Sequence, residues 1–246
     1  MKERFNINEI AEILEVNPYT LRVWDKKGIF PSRRDNLRGH RYYFEDDLEN
    51  FFSNNYKYFF RFAEKWFFSK KPVYLPDRFY CQDAFIFKAR LSKLEKILQE
   101  DQLIGPLFSL ITSVVGEIGN NSFDHNLGNW PDTPGIFFGY NLKEKKVILA
   151  DRGLGVLTTL KRIKPELSDD KSALLTAFTE IITGRSPEHR GNGLKYVRKI
   201  INDYKMSLWF QSGAGVISLT GEKISVFDSP QSARGTFAVV DYKNLL

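Results

Sequence analysis

The residues best suited to chemistry lie in the second half of the chain, where Glu117, Asn121 and His125 are spaced four residues apart. In a helix this spacing places the three side chains on one face. An amide oxygen is a hard ligand for Mg²⁺, and a carboxylate can polarise a water or a hydroxyl group. The segment can therefore serve a hydrated Mg²⁺ ion, although by itself a capped polar helix end is the favoured interpretation. Asp124 and His125 are each interpreted as structural.

A second polar segment follows Ile148-Leu149-Ala150, an apolar run that is typical of a strand. Asp151 stands at the predicted end of this strand, and Gly153 and Gly155 allow a tight turn and the close approach of a ligand. A carboxylate in this position can accept a hydrogen bond from an exocyclic amine such as that of adenine. An ordinary exit from a strand into a loop is the alternative.

Two further segments fit a bound phosphate and a bound base. Glycines precede a helix predicted at residues 193–204, where free backbone N–H groups and the helix dipole attract phosphate. The basic loop before it, residues 183–190, is expected to close over a triphosphate, although it lacks the Walker A arrangement. Thr236 begins the last predicted strand, and its hydroxyl is expected to support the adenine contact. The predicted lid and phosphate residues are Arg185, Arg190 and Lys195.

In their order along the chain, these four segments resemble the N, G1, G2 and G3 boxes of the Bergerat ATPase superfamily of gyrase, Hsp-type chaperones, histidine kinases and mismatch-repair proteins. The resemblance covers residues 100–242 and implies ATP and Mg²⁺ as cofactors. It implies that Glu117 is the catalytic base, that Asn121 is the Mg²⁺ ligand and that Asp151 binds the adenine amine. The other nucleotide-binding residues that it implies are Gly153, Gly155, Gly191, Gly193, Leu194 and Thr236. Ser122 stands where the superfamily mostly has alanine.

Basic residues are concentrated near the N-terminus, where seven of them face two acidic residues between positions 22 and 41. Such a cluster favours a polyanionic partner, and a solvated loop is the alternative. Short helices are predicted at residues 7–14, 20–27 and 45–52, and a basic loop at residues 32–43 separates the second helix from the third. A winged helix-turn-helix has this arrangement, and its second helix enters the major groove of DNA. The predicted contacts to double-stranded DNA are Asn17, Tyr19, Thr20, Arg22, Arg38 and Arg41.

The same region, INEIAEILEVNPYTLRVWDKKGIFPSRR followed by GHRYYFEDDL, resembles the N-terminal domain of MerR-type transcription regulators. The shared features are I-x-E-hydrophobic-A, T-L-R-aromatic, K-G-hydrophobic-x-P and R-x-Y-x-x-x-D-L. Members of that family usually continue into a dimerising coiled coil, whereas no sustained heptad follows here, so a homodimer is left open. The resemblance implies DNA binding, and a small helical module for protein contacts is the alternative.

The sequence predicts three parts: a winged helix-turn-helix domain at residues 1–54, an aromatic-rich connector at 55–84 and a histidine-kinase-like ATP-binding domain at 85–246. The predicted fold class is α+β, with the small helical domain followed by a two-layer α/β sandwich of Bergerat type. In the second domain, helices are predicted at 89–99, 104–126, 172–182 and 193–204, and strands at 135–140, 147–151, 207–211, 216–220, 224–227 and 236–241. The connector rings are expected to pack in a core, with base stacking as the alternative.

Composition excludes several other classes of protein. Apolar residues make up 42% of the chain, enough for a core, but no run approaches the roughly 18 apolar residues that a membrane span needs. The N-terminus lacks the apolar stretch of a signal peptide. Cys81 is the single cysteine, expected as a small core residue. These features predict a cytoplasmic protein without a membrane partner.

Three functions fit these patterns. The favoured one is a DNA-binding transcription regulator in which ATP acts as a switch, with a regulatory protein partner left open. A serine/threonine protein kinase of anti-sigma-factor type, acting on a partner protein, is the alternative, and a nucleotide-binding scaffold is the third. A histidine kinase is disfavoured because His40, His125 and His189 all lie outside any predicted dimerisation helix. Whether ATP is hydrolysed, transferred or only bound stays open.

Overall fold

The computed structural model describes residues 4–36, 39–71, 73–180 and 193–245. The chain forms two compact units. The first unit comprises Met1–Lys65 and Asn141–Glu144, and the second comprises Trp66–Tyr140 and Lys145–Leu246. Within the described ranges, no helix combines the length and the apolar character that crossing a membrane requires.

The first unit is built from short helices and one small sheet. Its elements are β1 (Arg4–Asn6), α1 (Ile7–Leu14), α2 (Pro18–Lys26), β2 (Tyr42–Phe44), α3 (Glu45–Asn54) and the first part of α4 (Tyr56–Phe68). β1 pairs antiparallel with β2, and Arg33 forms an isolated bridge with Tyr42. Backbone pairing therefore joins the two ends of the basic loop, as in a winged helix-turn-helix. We call this loop, residues 32–43, the wing.

Local sequence explains where these helices begin and end. α1 has the predicted bounds because the Asn6 side chain accepts from the N–H groups of Asn8 and Glu9, while Glu9 accepts from the N–H of Asn6. α2 begins two residues earlier than predicted, since Pro18 suits the first helical turn. Gly28 follows the helix in a left-handed conformation, with φ of +67°, as predicted.

The second unit combines four long helices with one five-stranded sheet. Its elements are the end of α4, then β3 (Tyr80–Cys81), α5 (Ala84–Glu100), α6 (Phe108–Asn126), β4 (Ile136–Asn141), β5 (Lys146–Asp151), α7 (Val156–Leu160), α8 (Asp170–Thr179), α9 (Gly193–Asp203), β6 (Ser207–Thr220) and β7 (Lys223–Asp241). The strand order is β3-β4-β5-β7-β6, and β7 pairs antiparallel with both of its neighbours. The predicted mixture of helix and sheet is thus confirmed.

The core of this unit lies between the sheet and the helices α5, α6, α8 and α9. Alternate strand residues such as Leu149, Phe210 and Val240 point into it, where they meet helix residues such as Val115 and Val197. Because strand side chains alternate between faces, Asp151 and Ser212 lie on this same side of the sheet as Leu149 and Phe210. The sheet thus places polar groups at the end of its apolar, helix-covered face.

Two predictions about the strands were wrong. The predicted strands at 207–211 and 216–220 are one strand, β6, and those at 224–227 and 236–241 are one strand, β7. The segment Gly213-Ala214-Gly215 interrupts the apolar pattern of β6 at a register shift against β7. The exposed polar middle of β7 has the composition of a loop, and residues 229–232 have no partner in the register with β6, yet the strand continues on both sides of them. Pairing between distant residues, which local sequence does not record, decides both cases.

Helix boundaries in the second unit also differ from the prediction. α5 begins at Ala84 rather than 89 because Asp83 caps it, and α6 begins at Phe108 rather than 104, after a short 3₁₀ turn, Gly105–Leu107. α8 ends at Thr179, and the last two residues of the helix predicted at 172–182 lie outside the described residues.

The aromatic segment is structured. Its first part forms helix α4, Tyr56–Phe68. Four of the aromatic residues of this helix are each at most 3% exposed: Phe59, Phe62, Trp66 and Phe67. Packing of these rings is thereby confirmed, and buried rings of this kind cannot stack on nucleic-acid bases. Cys81 is also fully buried, as expected of a small core residue.

Candidate nucleotide site and helix-turn-helix surface

The carboxylate of Asp151 lies at the end of β5 and is 1% exposed. The hydroxyl groups of Ser122 and Thr236 both donate to its Oδ2, over 2.8 and 2.5 Å. The backbone N–H of Gly153 donates to Oδ1 over 2.8 Å. Three elements, α6, β5 and β7, therefore meet at a single carboxylate.

Burial raises the pKa of the Asp151 carboxyl above its ordinary value, because a charge in the interior loses its hydration. The hydrogen bonds from Thr236, Gly153 and Ser122 oppose this shift without cancelling it. All of its hydrogen-bond donors among the described residues are electrically neutral. A buried carboxylate in such surroundings is suited to a ligand that supplies a further donor group.

The turn after Asp151 is fixed by Asn126, at the end of α6. The Asn126 Oδ1 accepts the N–H of Leu154 over 2.7 Å, and its Nδ2 donates to the carbonyl of Ser122 over 2.7 Å. A Cβ at Gly153 would lie 2.1 Å from that same Nδ2, so only glycine fits there. Sequence reasoning missed Asn126, because the contact joins residues 28 positions apart. Its place one helical turn after Ser122 was the one available signal.

A second close approach lies between β7 and β5. Gly235 has φ of +85°, and a Cβ there would lie 2.0 Å from the carbonyl oxygen of Asp151. The hydroxyl of Ser212 donates to the Gly235 carbonyl over 3.0 Å and accepts the N–H of Val156 over 2.9 Å. Ser212 thereby joins the turn after β5 to β7 and β6, and sequence reasoning missed it as well.

The predicted base and magnesium ligand lie on α6, facing the start of α9. Glu117 and Asn121 are both partly buried. A Cβ at Gly193 would lie 2.4 Å from Oε2 of Glu117 and 3.6 Å from Nδ2 of Asn121. The first residue of α9 therefore lies against this face of α6, and a side chain at position 193 would displace the Glu117 carboxylate.

Of the other predicted phosphate and lid residues, Leu194 and Lys195 lie in the first turn of α9 and are partly buried. Burial lowers the pKa of the Lys195 ammonium group, and the nearby Glu180 carboxylate opposes this shift. Arg185, Arg190 and Gly191 lie outside the described residues, together with the rest of the predicted lid loop.

The structure thus brings the described members of the predicted nucleotide site to neighbouring positions along α6. Gly193 contacts the face of Glu117 and Asn121, and the next residue, Ser122, donates to Asp151. Gly153, Gly155 and Thr236 surround the same strand ends. The segments that sequence reasoning joined are therefore close in space, and their roles toward a ligand remain predictions.

The helix-turn-helix surface of the first unit is formed by the N-terminal half of α2. Leu21 is fully buried, whereas Tyr19 is 68% exposed, and Asn17 and Arg22 are exposed beside it. Thr20 is partly exposed. The Asn17 Oδ1 accepts the N–H of Tyr19 over 2.8 Å and so caps the start of α2. The four predicted recognition residues of α2 therefore share one accessible region.

Arginines of the wing are largely committed to ion pairs within the unit. Arg41 and Arg34 donate to the Asp25 carboxylate over 2.8 and 3.2 Å. Arg33 donates two hydrogen bonds to Asp47, over 3.0 and 2.8 Å. Arg38 lies outside the described residues. Lys26 and Lys27 of the same cluster are exposed and, like Arg22, have no ion pair with a described residue.

The Asp25 carboxyl is the centre of this ion-pair cluster. Burial alone would raise its pKa, but hydrogen bonds from the Ser32 N–H, Arg41 and Arg34 lower the pKa to about 2. Arg41, predicted to contact DNA from the wing, has only 19% of its side chain exposed in this arrangement. Its first role in the free protein is to hold the wing onto α2.

Comparison with known proteins agrees with the N-terminal part of this description. The family model described as MerR HTH family regulatory protein matches residues 5–52. Those residues form a MerR-type helix-turn-helix in the fold described above, with α1, α2, the wing and most of α3 inside the match.

A curated protein also matches part of the chain. The Type II methyltransferase M.Eco47II of Escherichia coli is 41% identical over 51 residues, which is 21% of this chain. The chain covers 12% of the length of that methyltransferase. The similarity is therefore confined to one short segment of each protein.

Proposed function

We propose that this protein is a DNA-binding transcription regulator whose second unit binds ATP and uses it as a switch. The observation that carries the DNA-binding half is the MerR family match at residues 5–52, together with the exposed side chains of α2. Arg22, Lys26 and Lys27 would neutralise phosphates, and Asn17 and Tyr19 would reach base edges or the sugar-phosphate backbone.

The ATP-binding half of the proposal rests on the buried carboxylate of Asp151. A protein does not normally bury a carboxylate among neutral donors unless the charge has a use. The adenine amine would donate to this carboxylate, with Thr236 supporting the same contact and Gly153 leaving room for the base. A histidine-kinase-like ATP-binding domain of Bergerat type is the fold that accommodates these residues in this order.

The residues on α6 suit the phosphate end of the nucleotide. Within the described ranges, no group of three or more His, Cys, Asp and Glu side chains could hold a metal by itself. A Mg²⁺ ion would therefore be held by Asn121 and by the phosphates, the usual arrangement for Mg²⁺ with a nucleotide. The ion would neutralise phosphate charge, while Glu117 would polarise the attacking water or hydroxyl group. Lys195 and the N–H groups that begin α9 would face the phosphates.

Isothermal titration with ATP and MgCl₂ tests the binding step, and Asp151→Asn and Glu117→Gln form a matched pair. We expect Asp151→Asn to weaken ATP binding about 100-fold and Glu117→Gln to preserve it, since only the former replaces the charged adenine acceptor with a neutral amide. An unchanged titration for Asp151→Asn would contradict the nucleotide site.

Incubation with γ-labelled ATP, alone and with candidate partner proteins, tests the fate of the bound nucleotide. Release of free phosphate that Glu117→Gln prevents supports the switch. Label transferred to a serine or threonine of a partner supports instead the anti-sigma-factor type of kinase, with Glu117 activating the hydroxyl. ATP bound without either product would identify a scaffold.

Fluorescence anisotropy with random-sequence duplex DNA, with and without Mg-ATP, tests the link to DNA. We expect binding that weakens steeply with salt and changes when Mg-ATP is added. Equal DNA affinity in both conditions would show that ATP is bound but does not act as a switch.

A further inference from the structure

A cavity of about 540 Å³ opens in the second unit beside the turn that follows Asp151. None of Glu117, Asn121, Asp151, Gly193 and Thr236 lines it. Its volume falls within the range of about 300–1,000 Å³ that small-molecule sites occupy. It therefore differs in place from the proposed nucleotide site, although the two share the backbone of Gly155 and Gly235.

The floor of this cavity is held rigidly by Arg152, which is 6% exposed. Its Nε and Nη2 donate to the Asp132 carboxylate, the latter over 2.7 Å, and its Nη1 donates to the carbonyls of Trp66 and Phe67, over 2.6 and 3.2 Å. These carbonyls belong to the last turn of α4, where the helix leaves acceptors unsatisfied. At the floor of the cavity, the N–H donors of Arg152 are therefore already used in hydrogen bonds within the protein.

The two carboxylates that line the cavity are both occupied. Asp132 is paired with Arg152, and the ion pair lowers its pKa against the opposing effect of burial. Asp170 accepts the N–H of Ala214 over 2.9 Å, a neutral donor that leaves its charge in place. The lining therefore carries three cationic side chains, Lys70, Arg152 and Arg234, against two carboxylates, which leaves a net charge of +1.

The cationic side chains at the rim are available. Lys70 and Arg234 are exposed, line the cavity and have no ion pair with a described residue. Arg234 lies near enough to Asp132 to lower the pKa of that carboxyl, without forming a salt bridge. The walls also include the partly exposed apolar residues Leu154 and Leu157.

We propose that this cavity is a second ligand site, for a small organic anion that carries an apolar body and a carboxylate or phosphate group. Lys70 and Arg234 would bind the anionic group through charge-assisted hydrogen bonds, and the apolar body would lie against Leu154 and Leu157. This inference goes beyond the proposed function, because it requires neither ATP nor DNA.

Anilinonaphthalene sulfonate is a suitable probe, since it combines one anionic group with aromatic rings and becomes fluorescent on binding. The full-length protein is titrated with the probe as wild type and as Lys70→Gln, Arg234→Gln and Ala233→Trp. The first two remove one cation each from exposed positions, and the third fills the cavity without changing its charge. Lys199→Gln, which removes an exposed cation from α9, is the matched control, and Asp151→Asn tests the neighbouring site.

We expect saturable binding that Lys70→Gln and Arg234→Gln each weaken about tenfold, as expected for loss of a charge-assisted hydrogen bond. Ala233→Trp is expected to abolish it, whereas Lys199→Gln and Asp151→Asn leave it unchanged. Wild-type affinity in all three cavity variants would overturn the proposal, and so would loss of probe binding in Asp151→Asn. Because probe binding does not depend on ATP, a failure to bind ATP would leave this result standing.

Discussion

Two carboxylates, the partly buried Asp25 in the first unit and the buried Asp151 in the second, are held in opposite ways. Asp25 accepts from Arg34, Arg41 and the N–H of Ser32, and these bonds lower its pKa to about 2. Asp151 is more deeply buried, its described donors are the hydroxyl groups of Ser122 and Thr236 and backbone N–H groups, all of them neutral, and its pKa is raised.

In the folded protein, arginine side chains compensate the charge of Asp25, whereas the neutral partners of Asp151 compensate its charge only in part. At Asp25 the ion pairs hold the wing to α2, so the charge stabilises the unit. At Asp151 the neutral donors orient the carboxylate without neutralising it, and the site keeps an affinity for a further donor. We therefore infer a structural role for Asp25 and a binding role for Asp151.

The largest expected effect is on ATP affinity in Asp151→Asn. Loss of a buried charged acceptor is expected to weaken ATP binding about 100-fold, as measured by isothermal titration. Stability should not fall, because the amide removes a poorly solvated charge. The pKa of Asp151 in the folded protein lies above its ordinary value of 3.8. The wild-type protein therefore becomes more stable as the pH falls through that folded pKa. A clear loss of stability at neutral pH in urea unfolding would contradict the comparison.

Asp25→Asn, in contrast, is expected to destabilise the protein, by about 2 kcal/mol at neutral pH, because the ion pairs of Asp25 are lost. Since the folded pKa is depressed from 3.8 to about 2, the wild-type contribution is present above pH 4 and is lost as the pH falls toward 2. Urea unfolding of wild type and variant between pH 7 and pH 2 should show the two curves converging. Asp35→Asn is the control, because Asp35 pairs with Arg4 at an exposed position and should change stability little.

A third prediction separates unpaired arginines from paired ones. Arg22→Gln is expected to weaken DNA binding about fivefold and to reduce the slope of log affinity against log salt by about 1. Arg41→Gln should instead lower the stability of the first unit, because it uncouples Asp25, and should leave the salt slope nearly unchanged. Anisotropy titrations at several salt concentrations measure both. An equal loss of slope in the two variants would show that Arg41 leaves Asp25 to contact DNA.

The smallest effect is expected in Ser122→Ala, which removes one of the two hydroxyl donors to Asp151. Thr236 and Gly153 still orient the carboxylate, so we expect ATP affinity to fall by only about threefold. Ser113→Ala, on the same helix, is the control, since the Ser113 hydroxyl donates to the carbonyl of Leu110. Complete loss of ATP binding in Ser122→Ala would assign Ser122 a direct contact with the ligand.

Sequence predicted those parts of the fold that depend on neighbouring residues. The bounds of α1 follow from Asn6 and Glu9, and the end of α2 follows from Gly28. The long strands β6 and β7 could not be predicted from local pattern, because Gly213-Ala214-Gly215 has no strand signature by itself. Pairing with β7 keeps that segment in the sheet.

The candidate site shows the same division between local and distant information. Asp151 and its glycines form a recognisable local pattern, but Asn126 and Ser212 act on residues 28 and 56 positions away. In the wing, the number of arginines can be counted from sequence, and only the structure shows that Arg33, Arg34 and Arg41 are engaged by acidic partners. Charge counts therefore overstate how much positive charge a partner would meet.

The turn between β4 and β5 has a consequence for dissecting the chain. Asn141–Glu144 groups with the first unit, and the Asn141 side chain donates to the carbonyls of Phe52 and Ser53 at the end of α3. A recombinant fragment that stopped at residue 65 would lack these donors, so its terminal helical carbonyls would be left to solvent. Expression of the helix-turn-helix in isolation should therefore yield a less stable product than the intact polypeptide, and grafting it onto another protein would require a substitute for Asn141.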